Sequence, residues 1–294
     1  MLVFAFMFAD DVASVAETVN NLQQHIRHIE NFCDATGISL NVCKRLCGLN
    51  KNVANFFALS ECGRYPLYVN YMSQCIKYWL SLITLDGQRY PKQCYIMLRR
   101  LQMGRRLTWC SKVKNMLFLY GFGHAWVANE VGNEKVLLAI FKQRLKDCSY
   151  QIIHSDVHTS AKSIYYKEYK TLLDVERYLS IVMCYKFKRT LSNFRCSGHS
   201  LMVELGRHQY IDREYRYCPI CNTNDIHVLE DEMHFMFVCQ LYNTLRVKYF
   251  KTHWLNSSVC TRLFYQVMSE NDNSSIVCIA KYLYNAFELR NISI

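Results

Sequence analysis

"YPLYVNYMSQCIKYWLSLI" (residues 65–83) decides how the centre of this chain is read. Val69, Met72, Ile76, Trp79 and Ile83 recur at spacings of three and four, which lines them up on one face of a helix. The same period runs on through "RYPKQCYIMLRRL" (residues 89–101), where Pro91 suits a first helical turn. In "TWCSKVKNMLFLYGFG" (residues 108–123), Trp109, Val113, Met116, Leu117 and Tyr120 form a stripe with Thr108 and Gly121 as start and stop. "NEKVLLAIFKQRLKDC" (residues 133–148) and "SAKSIYYKEYKTLL" (residues 160–173) continue in the same way, and "SIVCIAKYLYNAFELRN" (residues 275–291) gives a last helix. Upstream, Val15, Val19, Leu22, Ile26, Ile29 and Cys33 predict an amphipathic helix that Gly37 ends, and "ISLNV" (residues 38–42) reads as a short strand.

Composition bounds what such a chain can be. With 294 residues and 51% hydrophobic content it folds as a globular protein, and three prolines and ten glycines leave no room for a flexible linker. The opening run "MLVFAFMF" is too short to cross a bilayer, lacks a basic start and ends near Asp10, so neither a membrane segment nor a secretion signal is expected. Fifteen cysteines without an export signal point to a reducing, intracellular compartment, cytoplasmic or nuclear. The formal charge of +11 is concentrated between Arg99 and Arg216, where 21 Lys and Arg stand against 10 Asp and Glu. Tyr, Phe and Trp interleave with these cations, a composition suited to RNA or DNA, whose phosphates pair with cations and whose bases stack on aromatic rings. Arg99, Arg100, Arg105, Arg106, Lys186, Lys188, Arg189 and Arg195 are the candidate contacts. The competing reading is a solvated, Lys-rich helical surface.

The helical period breaks at "RCSGHSLMVELGRHQYIDREYRYCPICN" (residues 195–222), where cysteine and histidine crowd together. Cys218, Cys221, His234 and Cys239 follow C-x2-C-x12-H-x4-C. Three thiolates and an imidazole complete a tetrahedral zinc shell, and a shell with four protein ligands is structural. "EMHFMFVC" is expected to hold His234 and Cys239 on a short helix-like turn. His227, inside the spacer, is a substitute for His234 with loop-like flanks. Cys196, His199 and His208 are either a second site or, the simpler reading, ordinary residues of the basic segment.

Two adjacent carboxylates, Asp10 and Asp11, end the N-terminal apolar run. By themselves they are either a polar turn or hard oxygen ligands for magnesium. "FADD", followed by an amphipathic helix and "GISLNVCK", resembles the catalytic box of reverse transcriptases of non-LTR (LINE-type) retrotransposons. The resemblance implies an RNA-directed DNA polymerase with Asp10 and Asp11 on a palm β-hairpin turn as Mg2+ ligands, framed by Phe8 and Ala9. It places Asn41 and Lys44 beside the nucleotide. Downstream, the Cys/His region resembles the zinc-binding module of such elements, and residues 61–80 and 112–123 resemble their helical connector.

Two-metal phosphoryl transfer needs carboxylates on more than one element. The family supplies another Asp from a strand well before this turn, and the chain begins seven residues before "FADD". After Lys44 it passes within a few residues to "CGLNKNVANFFALSECGRYP", which resembles the far side of the thumb. The expectation is therefore an internally truncated C-terminal fragment, inactive alone, with residual nucleic-acid binding. The expected fold is α+β and predominantly α-helical. It comprises a palm remnant with a short β-hairpin (1–45), a basic helical connector (46–195), a zinc unit (196–255) and a helical tail (256–294). The alternative is a non-enzymatic, zinc-stabilised nucleic-acid-binding or interaction protein in which "FADD" is only a polar turn.

Overall fold

The structure, a computed structural model, describes residues 38–294, with side chains from residue 42 onward, and the backbone of two short segments before them. Those segments, Phe4–Phe8 and Asp11–Val15, pair as antiparallel strands. Ala9, Asp10 and the remainder of the amphipathic helix expected up to Cys33 lie outside the described residues. From residue 38 onward the chain is predominantly α-helical. Its main helices are α1 (Ile38–Cys47), α2 (Asn55–Glu61), α3 (Leu67–Thr84), α4 (Tyr90–Met103), α5 (Trp109–Leu119) and α6 (Gly123–Ala128). They continue with α7 (Glu134–Thr159), α8 (Tyr185–Arg195), α9 (Met202–His208), α10 (Asn243–Tyr249), α11 (Thr261–Met268) and α12 (Asn273–Ser293).

Two compact units divide the chain, one of residues 1–39 with Tyr65–Tyr150, the other of Leu40–Arg64 with Gln151–Ile294. In the first, the stripe on α3 does what its spacing requires. Val69, Ile76 and Trp79 are buried with Val113, Leu117, Trp126 and Phe141, while Met72 and Ile83 pack at the margin. The buried Trp79 indole donates to the Tyr95 hydroxyl (3.2 Å), which donates to Asn129 Oδ1 (2.7 Å), so burial leaves neither polar tip unpaired. Helix α5 starts at Thr108, whose backbone N–H donates to Ser111 Oγ (3.1 Å), and the chain leaves it through Gly121 at φ +88°.

The second unit is built around α8 and α12, with Phe194, Phe235, Tyr242, Trp254, Phe264 and Tyr282 among its buried rings. Its earlier chain segment is held by a buried charge cluster. Arg195 Nε and Nη2 donate to Glu61 (3.0 and 3.2 Å), Nη2 pairs with Glu176 (2.7 Å) and Nη1 donates to the Met268 carbonyl (2.7 Å). Tyr166 and Tyr178 donate their hydroxyls to the two Glu61 oxygens (2.9 and 2.6 Å). Beside it Cys62 bridges Val175, and Gly63, at φ +58°, lies so close to Asp174 and Val175 that a Cβ would sit 2.5 Å from their backbone.

Two sequence expectations are corrected. "ISLNV" is not a strand but opens α1, because Cys43 and Cys47, one turn apart, bury together against Ala58 and Cys62. A short apolar run is ambiguous between strand and buried helix. "SAKSIYYKEYKTLL" forms only one helical turn, Tyr166–Tyr169. Its tyrosines are spent on separate partners: Tyr165 on Asp231, Tyr166 on Glu61 and Tyr169 on the Arg195 carbonyl. Lys170 then turns back onto Asp174 and Glu176.

Candidate metal centre and basic surface

The cysteine and histidine ligands stand on a small scaffold whose parts follow from local chemistry. Residues 216–218 and 228–230 run side by side, with Cys218 N donating to the Val228 carbonyl (2.8 Å) and Glu230 N to the Arg216 carbonyl (2.9 Å). Cys218 leads into the single turn Pro219–Asn222, which carries Cys221 back toward it. Asp225, at φ +58°, reverses the chain, and Ile226 N donates to the Cys221 carbonyl (3.1 Å). Asp231 then opens the second ligand segment, its Oδ1 accepting from His234 N (2.8 Å) and its Oδ2 from Tyr165 (2.5 Å).

That segment, His234–Val238, is a π turn closed by Cys239 N donating to the His234 carbonyl (2.9 Å). In an α-helix, residues five apart point about 140° away from each other. The wider turn, with its i→i+5 hydrogen bond, brings them toward one side. His234 and Cys239 are five apart, and the π turn is what lets both face the C-x2-C pair.

All four ligand atoms lie within 4.8 Å of one another, so the cluster can hold a metal ion. Around a tetrahedral zinc, bond lengths set sulfur–sulfur edges at roughly 3.8 Å and sulfur–nitrogen edges at roughly 3.5 Å. Cys221 Sγ stands 3.9 Å from Cys239 Sγ and 3.5 Å from His234 Nε2, so the donor set fits zinc in chemistry and in size. Cys218, His234 and Cys239 are buried and Cys221 is partly so, leaving no open position of the kind a catalytic zinc keeps. The Cys218 thiol is held far below the ordinary thiol range because the Cys239 thiol donates to it. The same hydrogen bond pushes Cys239 up, and burial raises Cys221.

The three acids at the end of the spacer each hold the scaffold. Glu230 takes Arg290 of α12 in a buried two-point pair (2.7 and 2.7 Å) and accepts from Met202 N (2.7 Å). Asp231 caps the π turn as above, and Glu232 pairs with His199 Nε2 (3.1 Å). Burial pushes the Glu232 carboxyl up, but His199, a backbone amide and Arg213 together bring it below its usual range. Three consecutive acids just before a metal ligand were the available signal. The substitute ligands resolve with them. His227 is exposed and stacks on Tyr217 (5.0 Å between rings), Cys196 is core beside Phe57, and among the described residues no second metal cluster is found.

The candidate nucleic-acid residues separate into two groups, one in each unit. Arg100, Arg105 and Arg106 are exposed at the end of α4, and the partly buried Arg99 lies over Trp126 (5.4 Å) and donates to its carbonyl. On α8, Lys186 and Arg189 are exposed, whereas Lys188 donates to the Leu179 carbonyl (3.0 Å). Arg195 is a correction. It is 5% exposed and committed to Glu61 and Glu176, so it has no free face for a phosphate.

Asp10 lies outside the described residues, and of Asp11 only the backbone is described. Lys44 is on α1, where its ammonium donates to the Lys51 carbonyl (3.0 Å) and partial burial lowers its pKa. Among the described residues no helix is long and apolar enough to cross a membrane. No protein-family model, curated protein or solved structure matches this chain.

Proposed function

We propose that this chain binds single-stranded RNA or DNA on a helical fold ordered by a structural zinc, as part of a polypeptide related to non-LTR reverse transcriptases. The observation that carries the reading is the tetrad of Cys218, Cys221, His234 and Cys239, whose spacing resembles that family's zinc-binding module and whose atoms are arranged as a zinc shell requires. The exposed cations at Arg100, Arg105, Arg106, Lys186 and Arg189 support the choice of an anionic partner. In the polymerase reading, Asp10 and Asp11 on a palm-like hairpin hold Mg2+ and Lys44 stands beside the nucleotide. Two-metal catalysis also requires a carboxylate from another strand, so binding is proposed for this chain alone and synthesis is not.

The test combines zinc content, titration of labelled oligonucleotides at several salt concentrations, and primer extension on an RNA template with Mg2+. Expected are one zinc per chain, lost in Cys218→Ser, and binding that weakens steeply with salt because phosphate contacts release counterions. No extension is expected. Zinc-loaded protein that binds no oligonucleotide at low salt would favour the interaction-protein alternative. Template-dependent synthesis abolished by Asp10→Ala would show that a complete catalytic site assembles.

A further inference from the structure

The second unit contains a cavity of about 620 Å3 between residues 50–53, α8, the turn 197–200, α9 and α12. That volume falls within the roughly 300–1,000 Å3 usual for small-molecule sites. Lys186 and Arg189, one turn apart on α8, stand at it. The Lys186 ammonium lies over the Tyr284 ring (4.4 Å), and the Arg189 guanidinium donates to Asn50 Oδ1 (3.2 Å). Tyr185, 60% exposed, also lines the cavity and offers a ring face. Across these elements is Glu204, only 4% exposed. Its Oε1 accepts from Arg207 (3.1 Å), while Oε2 accepts no hydrogen bond and has only Lys162 in loose range at 3.8 Å.

A buried carboxylate oxygen without a donor is costly, and it is satisfied when a ligand brings an N–H. Cations suited to phosphate, an aromatic face suited to a base and a buried acceptor suited to an exocyclic amine therefore line one cavity. We propose that it takes one unstacked nucleotide of a bound single strand. The phosphate rests on Lys186 and Arg189, the base stacks against Tyr185 and its amine donates to Glu204. A base with an exocyclic amine is favoured over one without, and cytosine, whose N4 amine a carboxylate accepts from, is the base that tests this against uracil. The inference rests on the nucleic-acid reading above and adds to it a pocket and a base preference.

The test uses the full zinc-loaded chain and fluorescence anisotropy with short labelled oligocytidylate and oligouridylate, with cytidine monophosphate as competitor. About tenfold tighter binding of oligocytidylate is expected. Glu204→Leu should erase the preference. Lys186→Ala and Arg189→Ala, at exposed positions that leave the fold intact, should each weaken both oligomers and reduce the salt slope by about one. Arg100→Ala with Arg106→Ala should weaken both without touching the preference. Equal binding of the two oligomers, unaffected at Lys186 and Arg189 but weakened at Arg100 and Arg106, would overturn the pocket and leave the nucleic-acid reading standing. Absence of any oligomer binding would overturn both. Competition by cytidine monophosphate at the oligomer's own affinity would overturn the strand and make a free nucleotide the ligand.

Discussion

Removing the Arg195 guanidinium would leave the Glu61 carboxyl without its counter-ion where it has no access to water, held only by the Tyr166 and Tyr178 hydroxyls. Loss of one partner from a buried pair typically costs about 3–5 kcal/mol. Arg195→Ala is therefore expected to lower the unfolding free energy by that amount, read as a lower urea midpoint without a change in m-value, whereas Arg189→Ala should stay within about 0.5 kcal/mol of the parent. Loss of nucleic-acid binding in an Arg195 variant would report unfolding and not a lost contact. From composition, Arg189 and Arg195 looked alike. The distinguishing signal was there: Leu191 lies four residues before Arg195 and Phe194 beside it, both buried, so Arg195 falls on the apolar stripe of α8. What the sequence could not supply was Glu61, 134 residues away. A cation on an apolar stripe is assigned only when its counter-ion is known.

Among the elements, the π turn and the close approach at Gly63 each depend on backbone geometry more than on side-chain identity. Deleting Met236 would leave His234 and Cys239 four apart, a spacing that an ordinary α-helical turn already places on one face, so zinc stoichiometry should stay near one per chain, whereas inserting an alanine after Met236 would turn them apart and lower it. Gly63→Ala would force a side chain into the left-handed region and against the Asp174–Val175 backbone. A loss of more than about 1 kcal/mol in urea unfolding is expected. Helix α12 depends on the residue just before it instead. Asp272 accepts from the Ser275 amide (2.9 Å) and from the Ser274 and Ser275 hydroxyls, and the bonds from Ser275 do most to hold its carboxyl well below the usual range. A depressed carboxyl contributes stability above its unfolded pKa and loses it as pH falls through the folded one. Asp272→Ala should thus lower Tm at neutral pH, with the difference from the parent shrinking as pH drops below about 4. The helices α3, α4, α5 and α12 were legible because a long apolar period leaves little choice. The expected strand at residues 38–42 and the helix at 160–173 were not, since a few anchors, Cys43 with Cys47 and three separately bonded tyrosines, decided the local path.

At the level of the whole chain, zinc should matter to one unit and not the other. Trp254 is the single tryptophan of the second unit, whereas Trp79, Trp109 and Trp126 belong to the first. Chelation is expected to lower the unfolding midpoint that Trp254 reports and to leave in place the transition seen in Trp254→Phe, which reads only the other three. Loss of both transitions together would show that the metal governs the entire fold. The ligand spacing made the metal centre legible in advance, and the charge count located the basic region, but the allocation of its cations between pockets, pairs and solvent is a tertiary property. Arg195 was lost from the surface and Lys188 tied to the Leu179 carbonyl for that reason, and Glu230 with Arg290 emerged as the clamp beneath the ligands. The second unit is also discontinuous: residues 40–64 join residues 151–294 only after the intervening stretch has been made. Asn193 donates to the Gly48 carbonyl across 145 residues, a closure that an unstructured loop would oppose with its entropy. The first unit lightens that task, since Tyr68 and Ser149, near its two ends, are hydrogen-bonded at 2.8 Å. During synthesis the inserted unit can mature first and deliver the two halves of its neighbour side by side. The order of emergence from the ribosome is thereby turned into an order of assembly, with the zinc ligands arriving after the inserted unit and α12 after them.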